Sequence, residues 1–272
     1  MQQPTDKKYD EGFIEILFAD IDDTMTTDGL IPAETFTALW EARRTGLRVV
    51  PVTGRPAGWC DHIVRMWPVD GVIGENGAFY FRKTEQGIRR EHVQTEEQRA
   101  ANRRKLEQIR REVLAGVPGC GIASDQAWRE YDLAVDFCED VPQLDWEAVQ
   151  RIVDIFERHG AVAKVSSIHV NGWFGDFDKL SMTRRYIREV DGRDFATHPQ
   201  YYAFVGDSPN DEPMFAAFAH SFGVANIRTF LDRLTHQPRT IVPSVGGTGF
   251  AEVVARIVAA RQRRKNGTTS DN

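Results

Sequence analysis

Apolar and polar positions along the chain fall into a repeating rhythm. FIEILFAD (13–20) is a compact apolar run that stops at acid, LRVVPVTGR (47–55) a second that stops at Thr-Gly-Arg, and VDGVIGENGA (69–78) a third that stops at a Gly/Asn-rich turn. Short runs rich in Val, Ile and Phe and closed by turn residues predict buried strands. Between the first two, PAETFTALWEARRTG (32–46) has the helical period. Pro32 suits its first turn, Gly46 its C-terminal cap, and Phe36, Leu39 and Trp40 fall on one face. Strands alternating with helices predict an α/β fold: a parallel sheet with right-handed crossovers, in which ligands bind beyond the carboxyl ends of the strands.

From about Arg82 the pattern changes. EEQRAANRRKLEQIRREVL (96–114) predicts a charged amphipathic helix with Leu106, Ile109 and Val113 on its buried stripe. QAWREYDLAVDF (126–137) and AVAKVSSIHVNGWFG (161–175) alternate like strands covered on one face, with LDWEAVQRIVDIFERHG (144–160) a helix between them. Tyr131, Leu133, Val135 and Phe137 share one face; Ile168 and Val170 share one opposite Ser167, His169 and Asn171. The first rhythm resumes with KLSMTRRYIREV (179–190) as a helix, YYAFVGD (201–207), SFGVAN (221–226) and TIVPS (240–244) as strands, and GFAEVVARIVAARQ (249–262) as a closing helix. This organisation predicts one parallel-sheet domain, 1–82 and 176–272, interrupted by an inserted α+β unit at 83–175.

Composition narrows the function. A chain of 272 residues with 41% hydrophobic and 27% charged residues is an ordinary globular one. Its net charge of −6 argues against a general nucleic-acid or anionic-membrane binder, and no stretch is apolar enough for a membrane span. The polar N-terminus lacks the apolar core of a secretory signal, and the three cysteines, Cys60, Cys120 and Cys138, are scattered. Both features fit a reducing cytoplasm. The basic tail RQRRKNGTTSDN (261–272) reads as a solvated, fraying helix end.

The chemistry lies at the strand ends. Asp20, Asp22 and Asp23 crowd together where the first apolar run stops. Asp20 and Asp22 are two apart, so they can point the same way, and a hard divalent cation such as Mg²⁺ gives such carboxylates a purpose. Asp207 adds an oxygen if its strand lies beside the first, and a carboxylate next to cation and phosphate can act as a nucleophile. Taken alone, the same acids also suit a polar turn or helix cap.

Four segments in order decide between these readings: FADIDDT, VVPVTGR, Asp178-Lys179-Leu180 and FVGDSPND (204–211). Together they resemble the motifs of the haloacid-dehalogenase-like phosphohydrolases. The insert between the second and third, with GENGA (74–78), resembles the class with the large α/β cap, which includes sugar-phosphate phosphatases and phosphomutases. The resemblance implies a Rossmann-like doubly wound core with an inserted α+β cap domain, Mg²⁺ dependence, and hydrolysis of a small phosphorylated metabolite, a sugar phosphate by preference, through an aspartyl phosphate.

By the same resemblance Asp20 is the nucleophile and a metal ligand, and Asp22 the general acid/base, with its backbone carbonyl on the metal. Thr53 and the amides near Gly54 bind phosphate, and Lys179 neutralises phosphoryl group and nucleophile. Asp207 completes the metal ligands, while Asn210 and Asp211 orient waters, phosphate or Lys179. The chain departs from the common pattern at Asp23, where many members carry Gly, and at Leu180. Arg55, His169 and Asn171 are candidate substrate contacts, with Trp128, Glu130 and Asp132 beside the last two. Asn76 reads as a support for its turn, and Trp59 and Trp67 as packing. A phosphomutase on the same intermediate and a non-catalytic sugar-phosphate sensor are the alternatives.

Overall fold

In the computed structural model, which describes residues 7–166 and 168–268, the expected alternation builds a five-stranded parallel sheet. Its strands are β1 (Ile16–Ala19), β2 (Arg48–Pro51), β10 (Tyr202–Gly206), β11 (His220–Gly223) and β12 (Thr240–Ile241), in the order β12-β11-β10-β1-β2. Period-2 alternation sends the β1 side chains to two cores. Leu17 and Ala19 pack with α1 (Ala33–Thr45) and α7 (Gly246–Thr268) through Leu39, Ala42, Phe250 and Val254. Ile16 and Phe18 pack on the other side with Met182 and Tyr186 of α5 (Lys179–Tyr186) and Met214 of α6 (Glu212–Ala217). Helices on both faces make the sheet doubly wound.

Gly46 closes α1 with φ +73°, the left-handed cap expected of it. The buried stripe of α1 is Thr35, Ala38, Leu39 and Ala42, and Trp40 is 51% exposed, so the expected Phe36-Leu39-Trp40 face is rotated toward the smaller residues. Two helices packed at the α1–α7 crossing leave room for alanines and not for an indole.

After α2 (Ala57–Met66), β3 (Val72–Gly74) joins the edge of the main sheet through a parallel bridge, Val52 to Ile73, and pairs antiparallel with β4 (Phe79–Thr84), which in turn pairs antiparallel with β5 (Gly87–His92). Residue 82, where the change of character was expected, falls inside β4. Phe79 and Phe81 on that strand belong to the core cluster.

Beyond it, α3 (Glu96–Gly116), β6 (Gly121–Ile122), β7 (Asp132–Asp136), α4 (Trp146–Arg158), β8 (Val162–Val165) and β9 (His169–Trp173) form a second layer pair. Its antiparallel sheet has the order β6-β7-β9-β8. Leu133, Val135 and Val170 pack under Leu106, Ile109, Val113, Ile152 and Phe156 of the two helices, whereas Tyr131 packs into the main core. The segment 161–175, expected as one strand, is a hairpin of β8 and β9 turning near Ser166. Ser167, expected on the face of His169, lies outside the described residues. Trp128 and Glu130 precede β7 and are not part of it.

Helix α7 continues through Thr268, so the fraying expected from residue 261 does not begin there. Arg261 donates to Gly46 O and ties the helix to the end of α1. Residues 269–272 lie outside the described residues. No described helix is long and apolar enough to cross a membrane.

Candidate active site

Strand order explains why distant acids meet. β1 lies between β10 and β2, with Ala19 opposite Val205 and Pro51, so the residues that follow these three strands emerge side by side at one edge. They are Asp20, Asp207 and Thr53, all buried. Lys179, the first residue of α5, reaches into the same place. Its helix is started by Asp178, whose carboxylate accepts the Ser181 N–H at 2.6 Å. Lys179 Nζ donates to Asp20 Oδ1 at 2.8 Å and to Asp211 Oδ1 at 2.9 Å. Asp211 also accepts the Asp207 N–H on Oδ2, and the Thr24 hydroxyl donates to Asp207 Oδ1 at 2.9 Å.

Carboxylate oxygens of Asp20, Asp207 and Asp211 lie within 4.8 Å of one another. Burial pushes the Asp20 carboxyl up to about 7, with Asp211 and Asp22 adding repulsion and Lys179 opposing it. Burial, Asp20 and Asp211 push Asp207 the same way. One ammonium thus faces three buried acids, and a hard, oxygen-seeking cation fits what is left uncompensated. Asp211 has both oxygens engaged by protein donors, so Asp20 and Asp207 are the carboxylates with oxygens to spare.

The Asp22 carboxylate is not in that cluster. Arg55 holds it in a fork, Nε and Nη2 donating to Oδ1 at 3.0 and 2.8 Å. Arg55 also lies 3.9 Å from Asp125 and 3.8 Å from Glu139, and its guanidinium covers the Trp59 ring at 4.6 Å. Asp23 has φ +57°, its N–H donates to the Thr26 hydroxyl, and its carbonyl accepts from Asn226. This left-handed position suits Gly best, and Asp is among the few residues that tolerate it.

The Thr53 hydroxyl accepts the Arg55 N–H at 3.0 Å. Among the described residues, the Gly54 N–H has no acceptor, so it can serve an anion. Asn210 accepts from the Ser208 hydroxyl. Asn76 supports its turn by donating its N–H to Thr53 O, and its side chain also packs against Gly54 at the site.

The sheet of the second layer lies over these groups. A cavity of about 60 Å³ is lined by Asp20, Asp22, Gly54, Arg55, Lys179 and Asp207 from below and by Arg129, His169 and Asn171 from above. A wider groove of about 510 Å³ adjoins it, sharing Asn76, Lys179 and Asn210 and bounded by Lys164 and Trp173. Asn171 donates to Asp132 at 2.9 Å. His169 is buried, with Nε2 2.9 Å from a Glu139 oxygen but outside hydrogen-bonding alignment, and burial and Arg129 hold its pKa below the usual value.

Sequence reasoning missed Arg129, Asp125 and Glu75. Arg129 is buried, with Nε donating to Asp125 at 2.9 Å and Nη1 to Asp132 at 3.0 Å and to Gly54 O at 3.0 Å. Asp125 and Asp132 are near in sequence, but no local spacing announces an arginine that also reaches Gly54 O, 75 positions away. Glu75 carried a signal: a lone acid at the end of an apolar strand, inside a turn.

Comparison with known proteins agrees with the architecture. Residues 17–112 match the family model of haloacid dehalogenase-like hydrolases. No curated protein matches the chain significantly in sequence. Among solved structures, a Thermoplasma acidophilum protein superimposes with a TM-score of 0.68 at 19% identity, over 90% of this chain and 98% of its own. A haloacid dehalogenase-like hydrolase from B. subtilis gives 0.64 at 14% identity over 89% and 99%. The sucrose-phosphatase of Synechocystis, solved with sucrose and phosphate, gives 0.60 at 16% identity over 89% and 97%. The protein therefore has the core-and-cap fold of the haloacid dehalogenase-like hydrolases, and its residues 17–112 match the model of that family.

Proposed function

We propose that this protein is a Mg²⁺-dependent phosphatase that hydrolyses a small phosphorylated metabolite, a sugar phosphate by preference, through a phosphoryl group carried on Asp20. The observation that carries the reading is the Lys179 ammonium bridging Asp20 and Asp211 beside Asp207, at the carboxyl ends of β1 and β10. Residues from α3 to β9 act as the cap in this reading.

Asp20, Asp207 and the backbone carbonyl of Asp22 would hold the metal ion. When bound, it supplies positive charge to the phosphoryl oxygens and to the nucleophile. The chain does the rest. Lys179 fixes one oxygen of Asp20, leaving Oδ2 without a protein donor among the described residues and able to attack phosphorus. The bond from phosphorus to the leaving oxygen breaks as Asp22 gives that oxygen a proton. Asp22 then takes a proton from water as the water attacks phosphorus and releases Asp20. Thr53, the Gly54 N–H and Lys179 stabilise the equatorial oxygens, since phosphoryl transfer depends mainly on positioning and charge.

Two features shape the substrate. The inner cavity of about 60 Å³ has room for little beyond the transferred group, so the leaving group extends into the adjoining groove of about 510 Å³ or waits on cap movement. The cap wall offers Asn171, His169 and Lys164, polar groups suited to hydroxyls. Arg55 has a definite part: its fork on Asp22 orients the proposed acid/base.

The test is phosphate release from p-nitrophenyl phosphate and from a panel of sugar phosphates, with and without Mg²⁺. Metal-dependent release with at least one sugar phosphate preferred over the aryl ester supports the proposal. Binding without turnover supports a sensor, and isomerised hexose phosphate without free phosphate supports a mutase.

A further inference from the structure

The seam between cap and core contains a buried carboxylate that the proposed reaction does not use. Glu75 follows β3 with φ +41°, and it is 1% exposed. A non-glycine residue holds that conformation only where its surroundings over-determine it. Its carboxylate collects backbone N–H groups from two directions. From the core, Ala57 at the start of α2 donates at 3.0 Å. From the cap, Glu130 donates at 2.9 Å, Tyr131 at 2.6 Å and Asp132 at 3.2 Å, three consecutive residues that lead into β7.

A carboxylate serving only to cap α2 needs one donor. Three further donors from the cap mean that the same carboxylate holds both bodies; burial and Asp132 push its pKa up to about 8, while Arg129 and the amides of Glu130 and Tyr131 oppose that rise and favour the ionised form. Hydrogen bonds to an ionised acceptor are roughly twice as strong as neutral ones, and burial strengthens them further.

The phosphate-binding turn is tied to the same place. The Glu75 N–H donates to Arg55 O at 3.2 Å and the Asn76 N–H to Thr53 O at 3.1 Å. Arg129, immediately before the three cap donors, gives Nη1 to Gly54 O at 3.0 Å. All three carbonyls of Thr53-Gly54-Arg55 are thus fixed by the Glu75 turn or by the cap segment that Glu75 holds. The Gly54 N–H and the Thr53 side chain remain for an anion.

We propose that Glu75 is a positioning residue, a pin that fixes the entry of β7 to the turn at 53–55, so that the cap pivots about this point and the phosphate site keeps its shape as it moves. The pin rests on the phosphatase reading for the identity of the anion. The contact between carboxylate and cap amides stands without it.

Glu75→Gln keeps the side chain's length, removes the charge and turns one acceptor into a donor facing N–H groups. Hydrogen exchange of the amides at 130–132 in the ligand-free protein is expected to quicken at least tenfold in this variant, while β1 and β10 amides stay within twofold. Inorganic phosphate, measured as an inhibitor of p-nitrophenyl phosphate hydrolysis, should bind at least tenfold more weakly, with a smaller change in kcat. Glu75→Asp retains the charge but is one methylene too short to span α2 and β7. It should show both effects to a lesser degree, and it carries the test if the glutamine variant does not fold.

Unchanged exchange at 130–132 in a folded variant overturns the pin. Faster exchange there with unaltered phosphate inhibition overturns the link to the phosphate site. A wild type that neither hydrolyses the aryl ester nor binds phosphate overturns the functional reading and the link with it. A fully active wild type beside an unaffected variant overturns the inference alone.

Discussion

Two buried ionic clusters lie close together in this molecule, and they are finished differently. Around Arg129 every acid is saturated. Asp125 takes Nε on one oxygen and Nη2 on the other, Asp132 takes Arg129 and Asn171, and Glu75 takes backbone amides on both oxygens. Around Lys179 they are not. Asp20 receives one donor, Asp207 receives Thr24 on one oxygen, and a single ammonium is shared between Asp20 and Asp211. Buried acids do not in themselves mark a reaction centre. Acids whose spare oxygens line a cavity are the ones able to take up a cation or a phosphoryl group, as the proposed function requires. The saturated cluster joins residues 125–132 to Gly54 and Glu75, and the other keeps carboxylate oxygens facing the cavity.

Mutation can break this contrast. The largest effect is expected at Asp20→Asn. Phosphate release should fall by roughly 10³-fold or more, as when a nucleophile is lost, while the melting temperature holds or rises because one buried charge is gone. Equal loss of activity and fold would move Asp20 into the saturated class.

Arg129→Met should behave in the opposite sense, leaving Asp125 and Asp132 buried and unpaired. Removing one partner of a buried pair typically costs about 3–5 kcal/mol, which urea unfolding will show. A loss under about 1 kcal/mol, the range of exposed pairs, would mean that this cluster is not what joins cap to core.

Mg²⁺ sharpens the contrast from the other side. At a hundredfold excess over Kd it should stabilise the wild type by about 2.7 kcal/mol, reversibly on chelation. The gain should vanish in Asp207→Asn and persist in Asp125→Asn. Stabilisation that survives Asp207→Asn would place the ion elsewhere.

The smallest effect is expected at Asn171→Ala. It removes one hydrogen bond to Asp132, worth about 1 kcal/mol. Steady-state kinetics should show a change in preference among sugar phosphates and little change toward p-nitrophenyl phosphate.

The two clusters also differ in how far the sequence disclosed them. The unsaturated one is written in short segments, each closing an apolar run: Asp20 after β1, Thr53 after β2, Asp207 after β10. Local period and turn chemistry place such residues at strand ends, the ordered set of four segments singles them out, and parallel pairing does the gathering. Lys179 is legible through the segment Asp178-Lys179-Leu180 in its place among the four motifs, and the structure adds that Asp178 and Ser181 cap the start of its helix. The saturated cluster has no such writing. Glu75 is bound by main-chain amides, which every residue possesses, and Arg129 reaches a carbonyl across the domain seam.

The same distinction explains the errors in the fold. The sequence reads β8 and β9 as one strand because SSIH carries no Gly or Pro to mark the turn, and the bend is made instead by the Ser166 hydroxyl, which donates to His169 O. Spacing alone puts Trp40 on one face with Phe36 and Leu39, whereas the α1–α7 contact selects small residues and leaves Trp40 exposed.

The central claim is that Asp20 carries the phosphoryl group. Acid quenching during turnover of p-nitrophenyl phosphate, followed by peptide mass mapping, measures it directly. The account predicts a phosphorylated peptide containing Asp20 that appears with Mg²⁺, decays at neutral pH and is absent from Asp20→Asn. Sustained phosphate release with no phosphorylated species, or with the phosphoryl group on another residue, would contradict it.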